Sequence, residues 1–273
     1  MVSSHAEHAL NPVVEASVHS ADGTRIGYRH LGSGPAVVFV HGSVSTHTDW
    51  MPAAKLLAPR FTCYVLDRRG RRGSSAGTGP YSIEREYDDV CAVLDAAGPG
   101  AMLAGHSYGA ILAMGAELRH PVPKLILYEP PLSAGGSVAG EPLAAYAAAV
   151  AAGENERAME IGLTQFTRLR PHVIEAIRTS KGWPRLCSLA PTWTRELIAM
   201  NECISVEPYR ALTCPVLLLV GTISPEHPYQ DSARAVKAIL PDVRQEPLEG
   251  QDHLGLRGAP EMVARLVGSF LAD

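Results

Sequence analysis

"AMLAGHSYGAILAMGAELRHP", residues 101–121, is an apolar run that breaks at Gly105-His106-Ser107-Tyr108-Gly109 and resumes as a stretch of good helix formers. Strand, tight turn and helix in that order place a serine where its hydroxyl is lifted clear of a sheet, and the flanking glycines keep neighbouring side chains from clashing at the turn. A glycine-rich turn with an incidental serine would account for the five residues. It would not account for the strand before them and the helix after them.

A serine hydroxyl is a weak nucleophile until a base removes its proton, so a histidine is required downstream. "LEGQDHLG", residues 248–255, supplies His253 after the last short strand. His106 lies inside the turn, His120 and His172 sit beside prolines at helix ends, and His227 is in a loop; each alone is better explained by packing or surface exposure. Acyl transfer also needs two donors for its oxyanion. The backbone amide of Tyr108, just after the serine, is one, and the amide of Ser43, in the turn after "AVVFVHG" (36–42), is the other.

Outward from the serine, apolar runs bounded by Gly, Pro or Asp recur at "TCYVLD" (62–67), "KLILYEPP" (124–131) and "CPVLLLVG" (214–221). Between them lie segments of helical period, such as "IEREYDDVCAVLDAA" after Ser82. This alternation predicts an α/β fold: a mostly parallel twisted sheet with helices on both faces. Ala21-Asp22-Gly23 between two alternating runs predicts an antiparallel hairpin at the start. From Ser133 to Pro208 the pattern is helical, which predicts a helical cap inserted into one discontinuous domain: core 1–132, lid 133–208, core 209–273.

Composition sets the remaining bounds. The chain has 273 residues, 46% hydrophobic and 19% charged, with a net charge of −4 from interspersed signs. Such a surface favours small molecules over nucleic acid or an anionic membrane as partners. The arginines of 68–72 read as a loop, paired locally or facing solvent, and Gly98-Pro99-Gly100 precedes a strand, the wrong order for a dinucleotide turn. No cofactor and no metal site is expected. Without an apolar leader or a span of eighteen apolar residues, the expected address is cytoplasmic, and five cysteines with no C-x-x-C pair read as reduced thiols.

Taken together, the His41-Gly42 turn, "DRRGRRGSS" from Asp67, the turn at 105–109 and His253 resemble the α/β-hydrolase family over nearly the whole chain. The resemblance implies that fold and an enzyme of its broad class, and leaves the substrate open.

The resemblance also raises a question about the acid that must orient His253. A carboxylate commonly lies three residues after the glycine that ends the seventh strand, but Ser224 stands there, in "GTISPEHP" (221–228). Asp252, beside His253, is disfavoured because adjacent side chains diverge. Glu226 and Asp231 are alternatives in or after that loop, although capping the next helix already explains Asp231. Glu129 ends "KLILY" and precedes Pro130-Pro131; in the family's sheet order its strand neighbours both partners, and some members, including many haloalkane dehalogenases, carry the acid there. The expectation is an esterase-like serine hydrolase using Ser107, His253 and Glu129 on a small carboxylic ester, thioester or lactone. An acyl transferase or lyase on the same residues is the alternative, followed by a non-catalytic binding protein. Tyr146, Phe166, Trp183 and Trp193 are expected to give the lid an apolar wall.

Overall fold

In the computed structural model, which describes residues 12–132, 136–202 and 205–273, eight strands form one sheet in the order β1-β2-β4-β3-β5-β6-β7-β8. They are β1 (Val14–His19), β2 (Arg25–Leu31), β3 (Ala36–Val40), β4 (Thr62–Leu66), β5 (Met102–His106), β6 (Leu125–Tyr128), β7 (Val216–Gly221) and β8 (Val243–Leu248). β1, β2 and β4 pair antiparallel, and every pairing from β4 to β8 is parallel. The hairpin at 21–23 and the parallel sheet thus follow the sequence pattern.

Period-two alternation divides the central strands between two apolar layers. Leu125, Leu127, Leu218 and Val220 face one layer, whereas Ile126, Tyr128, Leu217 and Leu219 face the other. The first layer is covered by helices α2 (Ile83–Ala97) and α3 (Tyr108–Glu117), the second by α1 (Met51–Leu57) and the C-terminal Pro260–Ala272 helix. Ser82 starts α2 with its side chain accepting from the Arg85 amide, as an extended serine before a helix does.

Between β6 and β7 the described chain is helical: α4 (Pro142–Ala151), α5 (Asn155–Ile161), α6 (Pro171–Arg178), α7 (Trp183–Cys187) and α8 (Ala190–Glu202). The helical segment 141–166 is broken at Gly153, whose φ of +76° would strain a residue with a side chain. α9 (Asp231–Ile239), α10 (Gly255–Gly258) and α11 (Pro260–Ala272) complete the fold. Ser133 and Cys203 lie outside the described residues. Among those residues, no helix is long and apolar enough to cross a membrane, and Cys63, Cys91, Cys187 and Cys214 are free thiols.

One prediction needs correction. Arg68, Arg69 and Arg71 neither face solvent nor pair only locally; all three are buried. Arg68 binds Glu86 at 2.6 and 2.7 Å, Arg69 binds Asp89, and both Arg68 and Arg71 pair with Glu196 of α8. The loop therefore ties the core to the helical insertion through charges that must be matched because they are out of water. Arg72 is the exposed member of the run.

Candidate active site

Parallel register brings the carboxyl ends of four strands together: Val40 is level with Gly105, His106 with Tyr128, and Tyr128 with Leu219. The residues that follow, His41, Ser107, Glu129 and the loop after Gly221, therefore share one edge of the sheet, where open α/β sheets bind ligands.

Ser107 occupies the turn between β5 and α3 with φ +56°, a strained value for a residue with a side chain. Close packing enforces the turn. A Cβ on Gly105 would lie 2.3 Å from the Gly109 carbonyl oxygen, and one on Gly109 would lie 2.4 Å from that of Val40. On Gly42 it would lie 2.8 Å from the Ser107 Cβ, so only glycine lets the two loops approach.

The Gly42 carbonyl accepts from His41 Nδ1 at 2.8 Å and from Arg68 Nη1 at 3.1 Å. His41 Nε2 accepts from the Arg68 amide at 3.0 Å, so the proton of this buried, neutral ring is on Nδ1. In a trans peptide the carbonyl and the next amide point in opposite directions, and pinning the Gly42 oxygen thereby aims the Ser43 N–H. The Tyr108 amide opens α3, at the positive end of the helix dipole. The Gly42–Ser43 turn and the N-terminus of α3 therefore lie beside Ser107.

The structure brings Glu129 and His253 together. Glu129 is fully buried, and its Oε2 lies 2.7 Å from His253 Nδ1. Its Oε1 accepts from the Gly221 amide at 2.7 Å and from the Ser224 hydroxyl at 2.5 Å. With φ +45°, the Glu129 backbone leaves the strand at once and turns its side chain toward the neighbouring loop. Ser224, at the position where a carboxylate is common, thus donates to a carboxylate that arrives from the adjacent strand.

His253 is held from several sides. Its ring stacks on Tyr229 at 4.1 Å and lies 4.5 Å from His106. Its carbonyl bonds His106 Nε2 at 2.9 Å, and Tyr128 Oη donates to the neighbouring Asp252 carbonyl at 2.5 Å. Tyr128, Tyr229 and His106 in this supporting role were not anticipated from sequence; the only signal was that Tyr128 and His106 directly precede Glu129 and Ser107.

Burial pushes the His253 imidazole down, to about 3, which leaves the ring neutral and able to accept a proton. Burial pushes the Glu129 carboxyl up, to about 8, against the pull of the Ser224 hydroxyl and the Gly221 amide. The donors on its oxygens, the Ser224 hydroxyl and the Gly221 amide among them, favour the carboxylate form and oppose that rise.

The other carboxylates are placed elsewhere. Glu226 is exposed and paired with Arg234, Asp231 binds His227 Nδ1 at 2.6 Å and the Ser232 amide, and Asp252 faces Arg170. For Glu226 and Asp231 the reason is the path of the loop: past Ser224 it turns outward into α9, carrying both side chains from the ring.

Ser107 and His253 line one small cavity of about 80 Å³. Among the described residues neither Ser107 Oγ nor His253 Nε2 has a hydrogen-bond partner, a gap that commonly tightens when substrate binds. The cavity wall is mainly apolar, with Leu163, Phe166, Leu169, Trp193, Leu197 and Met200 contributed by the insertion. Of the four aromatics expected there, Phe166 and Trp193 reach the cavity; Tyr146 packs edge-on against both and donates to the Ala190 carbonyl, and Trp183 is buried within the insertion.

Residues 37–266 match the alpha/beta hydrolase family. A crystal structure of an alpha/beta hydrolase from Sphaerobacter thermophilus superposes with a TM-score of 0.85 at 31% identity, covering 94% of this chain and all of that one. The 2-(acetamidomethylene)succinate hydrolase of Mesorhizobium japonicum is 27% identical over 90% of this chain and 91% of its own. The N-formylmaleamate deformylase of Pseudomonas putida is 37% identical over 122 residues, 43% of this chain and 46% of that protein. With its sheet, turn and strand-end residues in this arrangement, the chain belongs to the alpha/beta hydrolase family.

Proposed function

We propose that this chain is a serine hydrolase that cleaves a small carboxylic ester through an acyl-enzyme, with Ser107 as nucleophile, His253 as general base and acid, and Glu129 as the orienting carboxylate. The observation that carries the reading is the buried Glu129–His253 bond beside a cavity that Ser107 also lines.

In the first half-reaction Ser107 Oγ attacks the acyl carbon while His253 Nε2 takes its proton. Glu129 keeps the Nδ1–H tautomer and stabilises the imidazolium. The oxyanion is met by the Ser43 and Tyr108 amides, aimed before substrate arrives and so needing little reorganisation. Collapse of the tetrahedral intermediate breaks the bond to the leaving oxygen, which takes the proton from His253. Water then enters, gives its proton to His253, attacks the acyl carbon and frees Ser107 with release of the acid.

The small cavity and its apolar wall support a short apolar acyl group. The names of the two relatives point the same way, since an acetamido group and an N-formyl group are both small. They also favour a second reading within the same chemistry, cleavage of a small acyl group from nitrogen.

The test is a panel of acetyl and butyryl esters, thioesters and amides, with fluorophosphonate labelling mapped by peptide mass spectrometry. Label on Ser107 and a loss of about 10⁴ to 10⁶ in kcat for Ser107→Ala and His253→Ala are expected. Turnover retained in Ser107→Ala would remove the mechanism. An enzyme whose Ser107 takes the label but which, given a second alcohol, forms a new ester in place of free acid would be a transferase.

A further inference from the structure

Beside the small cavity lies a second one of about 500 Å³, and the two share Val44, Ser45, Asp49, Ile177, Leu186 and Arg257 as walls. Its character is different. Thr46, Thr48, Ser180 and Arg185 line it together with the shared Asp49 and Arg257. Its charged lining is thus two guanidiniums against one carboxylate, and the carboxylate is already engaged: Arg257 Nε and Nη2 bind the two Asp49 oxygens at 3.0 and 3.1 Å.

Arg185 is left over. Among the described residues, the one hydrogen bond of its guanidinium runs from Nη2 to Thr46 Oγ1 at 2.7 Å, and no carboxylate lies within ion-pair distance of it. Partial burial and the nearby Arg72 and Arg257 cations hold its guanidinium below its ordinary value, opposed by Asp49 and Asp67. A planar fork with five N–H donors, only one of them used, fits a carboxylate.

The chemistry says which half of a substrate comes here. His253 must deliver its proton to the leaving atom, so the leaving group lies on the His253 side. Leu254 lines the small cavity next to His253, and Arg257, one helical turn further, lines both cavities. A short acyl group fills the apolar cavity, and the leaving group extends past Arg257 toward Arg185.

We propose that the second cavity is a leaving-group site that selects a substrate carrying a carboxylate on its alcohol or amine half, bound by Arg185. The proposal rests on the acyl-transfer reading of Ser107 only for the direction in which the substrate lies.

The test compares 3-carboxyphenyl acetate with its neutral counterpart 3-carbamoylphenyl acetate, read as the ratio of kcat/KM values. The ratio is expected to favour the carboxylate by about tenfold, one charge-assisted contact at a partly exposed site, and to shrink as salt is raised. Arg185→Ala should bring the ratio near one, Arg185→Glu should invert it, and Arg185→Lys should keep part of it. Arg210→Ala, which removes an exposed arginine paired with Glu207, serves as the control and should leave the ratio where it is.

A ratio near one in the wild-type enzyme, or the same ratio in Arg185→Ala, overturns the site. If neither ester turns over, the hydrolase reading fails instead, and calorimetric titration with 3-hydroxybenzoate decides the site alone. Binding that Arg185→Ala abolishes supports it, and absence of binding, or binding indifferent to Arg185, overturns it.

Discussion

Two adjacent strand ends face the same histidine ring and have opposite designs. At the end of β6, Glu129 is fully buried, adopts a strained backbone and places one oxygen on His253. At the end of β7, the loop offers Ser224 to that carboxylate and sends its own acids, Glu226 and Asp231, outward to Arg234 and His227. Neighbouring strands of a sheet lie roughly 5 Å apart, close to the reach of a glutamate side chain, so an acid can be supplied from either end without moving the histidine. What cannot be supplied from either end is the donor set. The Gly221 amide and the Ser224 hydroxyl belong to the β7 loop, and the loop therefore serves the acid without carrying it.

The largest effect should come from removing the acid at the β6 end. Glu129→Gln keeps the shape of the side chain but presents an amide N–H to Nδ1, which favours the wrong tautomer; kcat is expected to fall by about 10⁴, and a loss under tenfold would break the comparison. The same variant should gain stability relative to the wild type as pH rises. Folded Glu129 has its carboxyl raised from 4.5 to about 8, so between those values the folded protein binds the proton more tightly than the unfolded chain does. Wild-type stability is therefore lost through that window, and the Tm advantage of Glu129→Gln should grow across it and level off above it. An advantage independent of pH would assign the gain to something other than this carboxyl.

Moving the acid back is a sharper test. In a Glu129→Gln background, Ser224→Asp places a carboxylate on the β7 loop, and recovery of about tenfold or more in kcat is expected if the two ends are interchangeable. No recovery in a variant of unchanged Tm would mean that the loop path, and not only its residue type, has been committed to Glu129.

Ser224→Ala alone removes one donor from the carboxylate and should lower kcat by about tenfold. Because that donor favours the charged form, its loss raises the Glu129 value further, and the rising limb of the pH–rate profile should move to higher pH. A fall in kcat with the limb unmoved would point to simple packing. The smallest effect is expected at the outward acids: Glu226→Gln and Asp231→Asn should stay within about twofold of wild type, as exposed or partly exposed pairs contribute little.

The parts of the site that were legible in the sequence are those written in short, contiguous patterns. The Gly105–Gly109 turn combines its residue pattern with the periodicity on either side, and the parallel sheet and the helical run after β6 follow from the same periodicity. The reading of Glu129 rested on a charged residue that ends a buried run before two prolines, together with the sheet order implied by the family resemblance. Residues that act across long sequence separations left no such mark. Glu196 is 125 positions from Arg71, yet the two meet in the interior and join core to insertion. Tyr229 and His106 brace His253 in ways that a sequence pattern does not encode.

The chain by itself determined that a serine would stand on a tight turn at the end of an apolar strand and that a histidine would follow late in the sequence, because turn chemistry and strand period are local. Which carboxylate meets that histidine was decided only in three dimensions. Glu129, Glu226 and Asp231 are chemically similar as letters; parallel register, the outward path of the loop after Ser224, and two donors aimed at one buried oxygen separate them.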